Sequence, residues 1–468
     1  MQSSDDVIAA IATAVGVGGI GIVRLSGKGA IEIADRGFRG RRPLTQAASH
    51  TVHHGWFVGP DGFKIDEVLA TVFRNPHSYT AEDMVEISCH GGSLVVRSVL
   101  SAVIVMGARL AEAGEFTRRA FLNGRLDLTQ AEAVAELVYA RSEAGLRCSL
   151  RQLEGVLSAR LNAIMERLVD ICSSIEADLD FVEENLEACK PEAIAAQLRV
   201  VTEDLESLLG SYKRGLRYKD GIRVVIAGPP NVGKSSLLNA LVERDRAIVT
   251  NTPGTTRDVI EESVMLGGVL FRLLDTAGLR DVSDEVESEG VRRTWREIEG
   301  ADCCLFLMDA TLPRDPQVVR TFLGLSEQYA RDGKEVVLLE NKCDLLGVGK
   351  GDWVVPDAKR NSPRTLRISA RTGQGLDRLI QELVILCGSS LSQDLESGVL
   401  ITSARHQESV RRANDSLRRC LENVQVGAGN ELLAIDLREA LDHLGAVVGK
   451  VTSEDLLDRI FSRFCIGK

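Results

Sequence analysis

No CxxC pair occurs among the ten cysteines of this chain, and none has a histidine nearby at metal-ligand spacing. That argues against a zinc site and a disulfide framework, and for reduced, mostly buried thiols in a cytoplasmic setting. No stretch approaches the ~18 uninterrupted apolar residues of a membrane span, so the protein is expected to stay in water, without a membrane partner. The start, Met1 to Asp6, is polar and acidic, and no apolar run with a cleavage site follows it, so no secretory signal is visible. Positive charge is also in deficit: 56 Lys and Arg stand against 67 Asp and Glu, a net charge of −11. A protein that coats nucleic acid non-specifically is thereby excluded, because phosphate binding needs local positive charge. Any RNA contact must be confined to patches, with Arg36, Arg39, Arg41 and Arg42 or Arg411, Arg412, Arg418 and Arg419 as candidates, although a solvated basic face is the commoner reading of each. There is no GxSxG nucleophile elbow to go with His90-Gly91-Gly92, which removes esterase chemistry. Gly16 to Gly21 spells GxGxxG, but an extended run follows where a Rossmann helix would start.

What is present is a chain of 468 residues, long enough for roughly three domains at about 150 residues each. Residues 1–125 mix short β-like runs (Ile20 to Leu25, Val68 to Phe73, Met84 to Ser88) with glycine-marked turns, which predicts an α+β domain. From Leu128 to Leu179 apolar residues recur at helical spacing, interrupted only by Gly145 and Gly155. Pro191 opens a further helix to about Tyr212, and Lys213 to Gly221 reads as a polar linker. Beyond it, Arg223 to Ala227, Phe271 to Leu274, Cys304 to Met308, Val336 to Leu339 and Leu366 to Ile368 are apolar strands alternating with helices, which predicts a mainly parallel sheet. One of the adjacent Cys303 and Cys304 must then face the core. After a joint at Gly388 to Ser392 the chain is helical again, with Thr452 and Asp455 at capping-box spacing before Leu456 to Phe464. The reading is a multidomain α/β plus α protein in which a nucleotide domain (220–387) is inserted in a split helical domain (126–219 and 388–468).

Gly228 to Ser235 matches GxxxxGK[ST] between an apolar strand and a helix, the context a P-loop requires. Backbone amides around Asn231, Val232, Gly233 and the helix start at Ser235 and Ser236 suit a β-phosphate, Lys234 suits the β/γ oxygens, and the Ser235 hydroxyl suits Mg²⁺. Asn341-Lys342-Cys343-Asp344 follows a later strand. Asp344 can accept from guanine N1–H and N2–H₂, whereas adenine would set a lone pair against the carboxylate. Ser369-Ala370-Arg371 would close over the base edge. Asp275-Thr276-Ala277-Gly278 ends another strand, placing Asp275 to hold Mg²⁺ through water and the Gly278 amide near the γ-phosphate. Gly254 to Asp258 supplies a threonine for Mg²⁺, with Thr256 preferred to Thr255. These elements have the order found in Ras-like GTPases, which implies a GTP/GDP switch.

The glutamine that orients the attacking water in Ras-like enzymes is missing, since Leu279 holds its position. Either hydrolysis is slow or another group substitutes. Glu287 could hold the water through a second one, or could be plain surface charge. Asn231 offers an extra P-loop oxygen for a monovalent cation acting where an arginine finger would.

Over essentially the whole chain the residues resemble the bacterial and organellar tRNA-modification GTPases called MnmE or TrmE. The resemblance rests on the Gly21 to Ser26 strand, Glu82-Asp83-Met84-Val85-Glu86 through Gly92, Gly114-Glu115-Phe116-Thr117, Ala120-Phe121-Leu122-Asn123, Leu126-Asp127-Leu128, Gly254 to Asp258, Asp275 to Glu287, and the terminal Phe464-Cys465-Ile466-Gly467-Lys468. It implies an N-terminal tetrahydrofolate-binding and dimerisation domain, a split helical domain and a G domain. It also implies a homodimer whose G domains meet when K⁺ and GTP bind. The implied potassium ligands are Asn231, Thr250, Thr252 and Thr255, and Glu287 falls on the family's catalytic glutamate. A folate, 5,10-methylenetetrahydrofolate or a 5-formyl analogue, is implied to contact Arg24, Glu86 and Lys468, with Arg125 where the family usually has lysine. Cys465 reads as a packed thiol or, from the family motif, as a group near that folate. The implied partners are tRNA and an FAD- and NADH-dependent protein of the MnmG (GidA) type. With them the family adds an aminomethyl or carboxymethylaminomethyl group to C5 of the wobble uridine. The alternative of a different class is an RNA- or ribosome-assembly switch without modification chemistry.

Overall fold

The computed structural model describes residues 6–14, 16–180, 190–244, 261–275, 300–313, 315–346, 364–388 and 398–468. They fall into two compact units, one of Met1–Val138, Arg151–Thr202 and Ser409–Lys468, the other of Tyr139–Leu150 and Glu203–Glu408.

In the first unit, β1 (Ile8–Ile11), β2 (Ile20–Ser26), β3 (Phe38–Gly40), β4 (Thr51–Val58), β5 (Lys64–Phe73), β6 (Met84–His90) and β7 (Arg109–Leu110) form one sheet. The order is β3-β4-β5-β6-β2-β1-β7, antiparallel except for the parallel β1–β7 pair. Alternation sorts the side chains: Val23, Leu25, Val85 and Ile87 pack with Ile31 of α1 (Ala30–Gly37) and Val99 of α2 (Ser93–Val105). Arg24 and Glu86, one residue out of phase, are direct cross-strand neighbours on the opposite face.

The helices of this unit are α3 (Glu115–Leu122), α4 (Leu128–Val138), α6 (Val156–Asp180), the first part of α7 (Pro191–Gly210), most of α12 (Ala404–Gln425), α13 (Asn430–Val448) and α14 (Glu454–Phe461). Leu128, Ala131 and Val134 of α4 bury against Leu457, Phe461 and Phe464. Arg118 of α3 reaches Glu454 (2.5 Å) and Asp458 (3.0 Å) of α14. The helix cap is Ser453, whose hydroxyl accepts from Leu456 N at 3.4 Å, and not the Thr452 expected from spacing.

The second unit holds β8 (Ile222–Ala227), β9 (Glu261–Leu266), β10 (Val269–Asp275), β11 (Cys303–Asp309), β12 (Glu335–Asn341) and β13 (Arg364–Arg367) in the order β13-β12-β11-β8-β10-β9. All pairs are parallel except β9–β10. Val224, Ile226, Leu305 and Leu307 face Leu237 of α9 (Lys234–Arg244) and Leu379 of α11 (Leu376–Leu383). Val225, Cys304 and Phe306 face Phe322 and Tyr329 of α10 (Pro316–Arg331). Both cysteines are therefore core residues, one on each side of a doubly covered sheet, and burial pushes the Cys304 thiol up to about 12.

Two further sequence expectations are corrected. The first helical break lies between α4 and α5 (Glu143–Leu153), and Gly145 sits inside α5, where a side chain would press on Tyr218 O. Lys213 to Gly221 is helical as α8 (Tyr212–Asp220), because Tyr218 is anchored in the sheet's core and Arg217 pairs with Asp302 at 2.9 Å. Among the described residues no helix is long and apolar enough to cross a membrane.

Candidate functional site

The ends of β8, β11 and β12 and the loop after β13 converge at the carboxyl edge of the second unit's sheet, where α/β folds bind ligands. The P-loop leaves β8 and enters α9 at Lys234. Lys234 is buried, and its Nζ donates to Gly228 O (3.1 Å) and Pro229 O (2.8 Å) of its own loop. Gly233 has φ +96°, and a Cβ there would collide with the Asn341 amide, so only glycine fits this turn. Ser235 Oγ donates to Asp275 Oδ2 at 2.7 Å. Two hard oxygens are thus held side by side at the P-loop, a donor set that fits Mg²⁺.

The Asn341 segment is fixed to the P-loop by a single buried amide. Asn341 Nδ2 donates to Val232 O at 2.8 Å, and Asn341 Oδ1 accepts from Ala370 N at 3.0 Å. Ser369 is fully buried and its Oγ accepts from Thr372 N at 3.1 Å, shaping the loop that carries Ala370 and exposed Arg371. Asp344 stands exposed on the one-turn helix Cys343–Leu345 that follows.

Lys342 has a left-handed backbone (φ +65°), as does Asn231 (φ +62°). The Lys342 ammonium donates to Asn231 O (2.9 Å) and Asp309 Oδ2 (2.7 Å). Burial opposes ionisation of Asp309, but the hydrogen bonds from Lys342 and Thr311 outweigh it and hold the carboxyl below its ordinary value. Sequence reading missed Asp309. Its place at the carboxyl end of a predicted strand was the available signal. Asn231, at the top of the loop, has an exposed side chain that suits a cation bound there. Thr250, Thr252, Thr255, Thr256, Thr276, Ala277, Gly278, Leu279 and Glu287 lie outside the described residues.

A second constellation lies in the first unit. Arg24 of β2 pairs with Glu86 of β6 at 2.7 Å, and its Nη1 donates to Gly467 O at 3.3 Å. An isolated bridge between Ala113 and Ile466 docks the last residues beside the sheet. Lys468 arrives there with its pKa held down, first by burial and then by the Arg24 charge. The Arg24 guanidinium lies 5.4 Å from the Tyr79 ring centre and 5.7 Å from that of Phe116, while Arg125 lies 5.1 Å from Tyr79. Arg125 Nη1 donates to Tyr79 O at 2.7 Å. Phe116 belongs to the Gly114-Glu115-Phe116-Thr117 run on which the resemblance rests, whereas Tyr79 carried no sequence signal.

A cavity of about 780 Å³ opens here, lined by Glu86, Arg125, Tyr79, His50, His77 and Ser78 among others. Ser78 Oγ is buried without a partner. A carboxylate, a guanidinium and an orphaned hydroxyl around a partly aromatic cavity fit a polar heteroaromatic ligand such as a folate. Cys465 is exposed, against the packed-thiol alternative, and Phe464 takes the buried position beside it. Among the described residues no group of three or more His, Cys, Asp or Glu is placed to hold a metal ion.

Residues 7–125 match the family "GTP-binding protein TrmE N-terminus", and residues 128–465 match "MnmE helical domain". The chain is similar to the tRNA modification GTPase MnmE of Symbiobacterium thermophilum, at 47% identity over 99% of this chain and 100% of that one. It is likewise similar to the protein of the same name from Salinibacter ruber, at 45% identity over 100% of both. Among solved structures it is similar to the G domain of the T. maritima FeoB iron transporter, at 26% identity over 35% of this chain and 98% of that one, with TM-score 0.26.

Proposed function

Because the chain belongs to the tRNA modification GTPase MnmE family, it is a GTPase of tRNA modification, and we propose that its hydrolysis is potassium-dependent and activated when the G domains of two copies meet. In this reading Val232, Gly233, Ser235 and Ser236 surround the β-phosphate, Lys234 neutralises β/γ oxygens, and Asn341, Lys342 and Asp344 with Ser369, Ala370 and Arg371 select guanine. Mg²⁺ would be held by Ser235 and Thr256, with Asp275 acting through water, and would supply neutralisation of developing phosphate charge. Asn231, Thr250, Thr252 and Thr255 would hold K⁺. Thr276, Ala277 and Gly278 would respond to the γ-phosphate, and Glu287 would orient the attacking water.

Arg24, Glu86, Arg125 and Lys468 would hold a tetrahydrofolate, the source of one carbon. With a flavin- and NADH-dependent partner of the MnmG type, the chain would act in the cytoplasm as a homodimer on C5 of the wobble uridine. The working domain spans are 1–125, 126–219, 220–387 and 388–468.

The observation that supports the nucleotide half is Asn341, whose two hydrogen bonds join the P-loop to the Ala370 loop, as a site reading phosphate and base together would need. Replacing K⁺ by Na⁺ in a hydrolysis assay should lower turnover sharply, and equal rates reject the potassium reading. Mass spectrometry of wobble uridines in a strain lacking the chain should show the modification lost. Unchanged nucleosides would reject the modification role.

A further inference from the structure

We infer that the exposed edge carrying Arg36, Arg39, Arg41 and Arg42 is the surface on which this chain takes the phosphate backbone of its tRNA, an assignment that rests on the tRNA-modifying role stated above. The sequence contains two arginine clusters, and ion pairing separates them. On α12, Arg411 pairs with Asp415 at 2.6 Å, and Arg419 is held by Asp436 at 3.3 Å and by Glu439. That charge is answered inside the protein.

At the end of α1 and along β3 the partners are different. Arg36 Nη1 donates to Met106 O at 2.6 Å, and Arg39 Nη1 donates to Arg36 O and Phe38 O, both at 2.9 Å. Carbonyls fix these guanidinia without neutralising them. Arg41 and Arg42 follow directly, both exposed. Among the described residues none of the four makes an ion pair. The adjacent carboxylate, Asp35, is occupied: it accepts from Leu44 N (2.6 Å) and Thr45 Oγ1 (3.2 Å), pinning the turn that presents Arg41 and Arg42.

The cluster also has an aromatic neighbour. β3 is the sheet's edge strand, and Arg39 stands directly opposite Trp56 of β4. Trp56 is 40% exposed, with Lys64 Nζ 4.6 Å from its ring centre. Glu67, across from Trp56 on β5, is bonded to His54 Nε2 at 2.8 Å. In a chain of net charge −11, an uncompensated arginine row beside an open indole matches a phosphate backbone with unstacked bases. Guanidinium forks pair with phosphate oxygens, and a flat ring accepts a base face. A protein partner's acidic surface would satisfy the arginines but would leave the indole unused.

Binding of a fluorescent tRNA to the full chain, followed by anisotropy over a salt series, tests the assignment. Arg41→Ala with Arg42→Ala should weaken binding on the order of tenfold at low salt and lower the slope of log K against log salt by about 2. Trp56→Ala should weaken binding with the slope unchanged, and Arg411→Ala should alter neither. GTP hydrolysis at the wild-type rate verifies the fold of each variant. If the double variant and wild type share affinity and slope, the patch is wrong while the tRNA role stands. If wild type has no affinity for tRNA, both fall. A variant that changes only the sedimentation of the protein would make the edge a protein interface and overturn the assignment.

Discussion

The nucleotide site and the Arg24–Glu86 cluster are built in opposite ways. In the first, the proposed ligand groups come in short contiguous runs, Gly228 to Ser235, Asn341 to Asp344 and Ser369 to Arg371, each after one strand of a single sheet. In the second, Arg24 meets Glu86 through strand register and meets Gly467 across 443 residues of chain. Runs at strand ends need only local backbone geometry, so their chemistry survives as a motif. A site made by register and by a docked terminus depends on every element between them, so its residues are scattered singly through the sequence.

The contrast can be broken first at Lys234. Lys234→Ala should lower GTP hydrolysis by on the order of 10² to 10³ in kcat while leaving folate affinity, measured by equilibrium dialysis, at the wild-type value. Loss of both would show that the two sites are one energetic unit. Next comes Asn341→Ala, which leaves Val232 O and Ala370 N without their buried partner. At about 1 to 3 kcal/mol for each stranded group, nucleotide affinity by calorimetry should fall by on the order of 10². An unchanged Kd would mean that the two loops hold themselves.

The smallest effect sharpens the other side. Glu115 is buried, and burial favours its neutral form. The hydrogen bonds from Arg109, at 2.5 and 2.9 Å, and from Glu112 N outweigh this and hold its pKa below the ordinary 4.5. A depressed carboxylate stabilises the fold above the ordinary value and loses that contribution as pH falls through the folded one. Glu115→Gln should therefore cost about 1 kcal/mol in urea unfolding at pH 7. The gap from wild type should close as pH drops below 4.5. A gap independent of pH would point to packing instead of charge.

Legibility followed the same division. The strands around the P-loop were readable because both their faces are buried, so they appear as continuous apolar runs. β4 was not readable, since Val52, His54 and Trp56 face outward and two histidines interrupt its apolar set. α8 looked like a linker because only Gly215 and Tyr218 are fully buried among its charges. The Lys342 bridge to Asp309 was invisible because Asp309 ends β11 while Lys342 follows the end of β12, so only the pairing of those two strands brings them together.

The sequence by itself determined the nucleotide chemistry. A strand, a glycine turn and a helix start bring amides and a lysine together by local geometry alone, as a phosphate site requires, and the Asp344 carboxylate offers the acceptors that guanine N1–H and N2–H₂ call for. Only the tertiary structure decided which charges are answered. Arg411 and Arg419 find carboxylates while Arg36 and Arg39 find carbonyls, and Lys468 comes to Arg24 because the chain's last residues dock beside the sheet. Charge compensation acts through space over a few ångströms, and distance along the chain does not encode it.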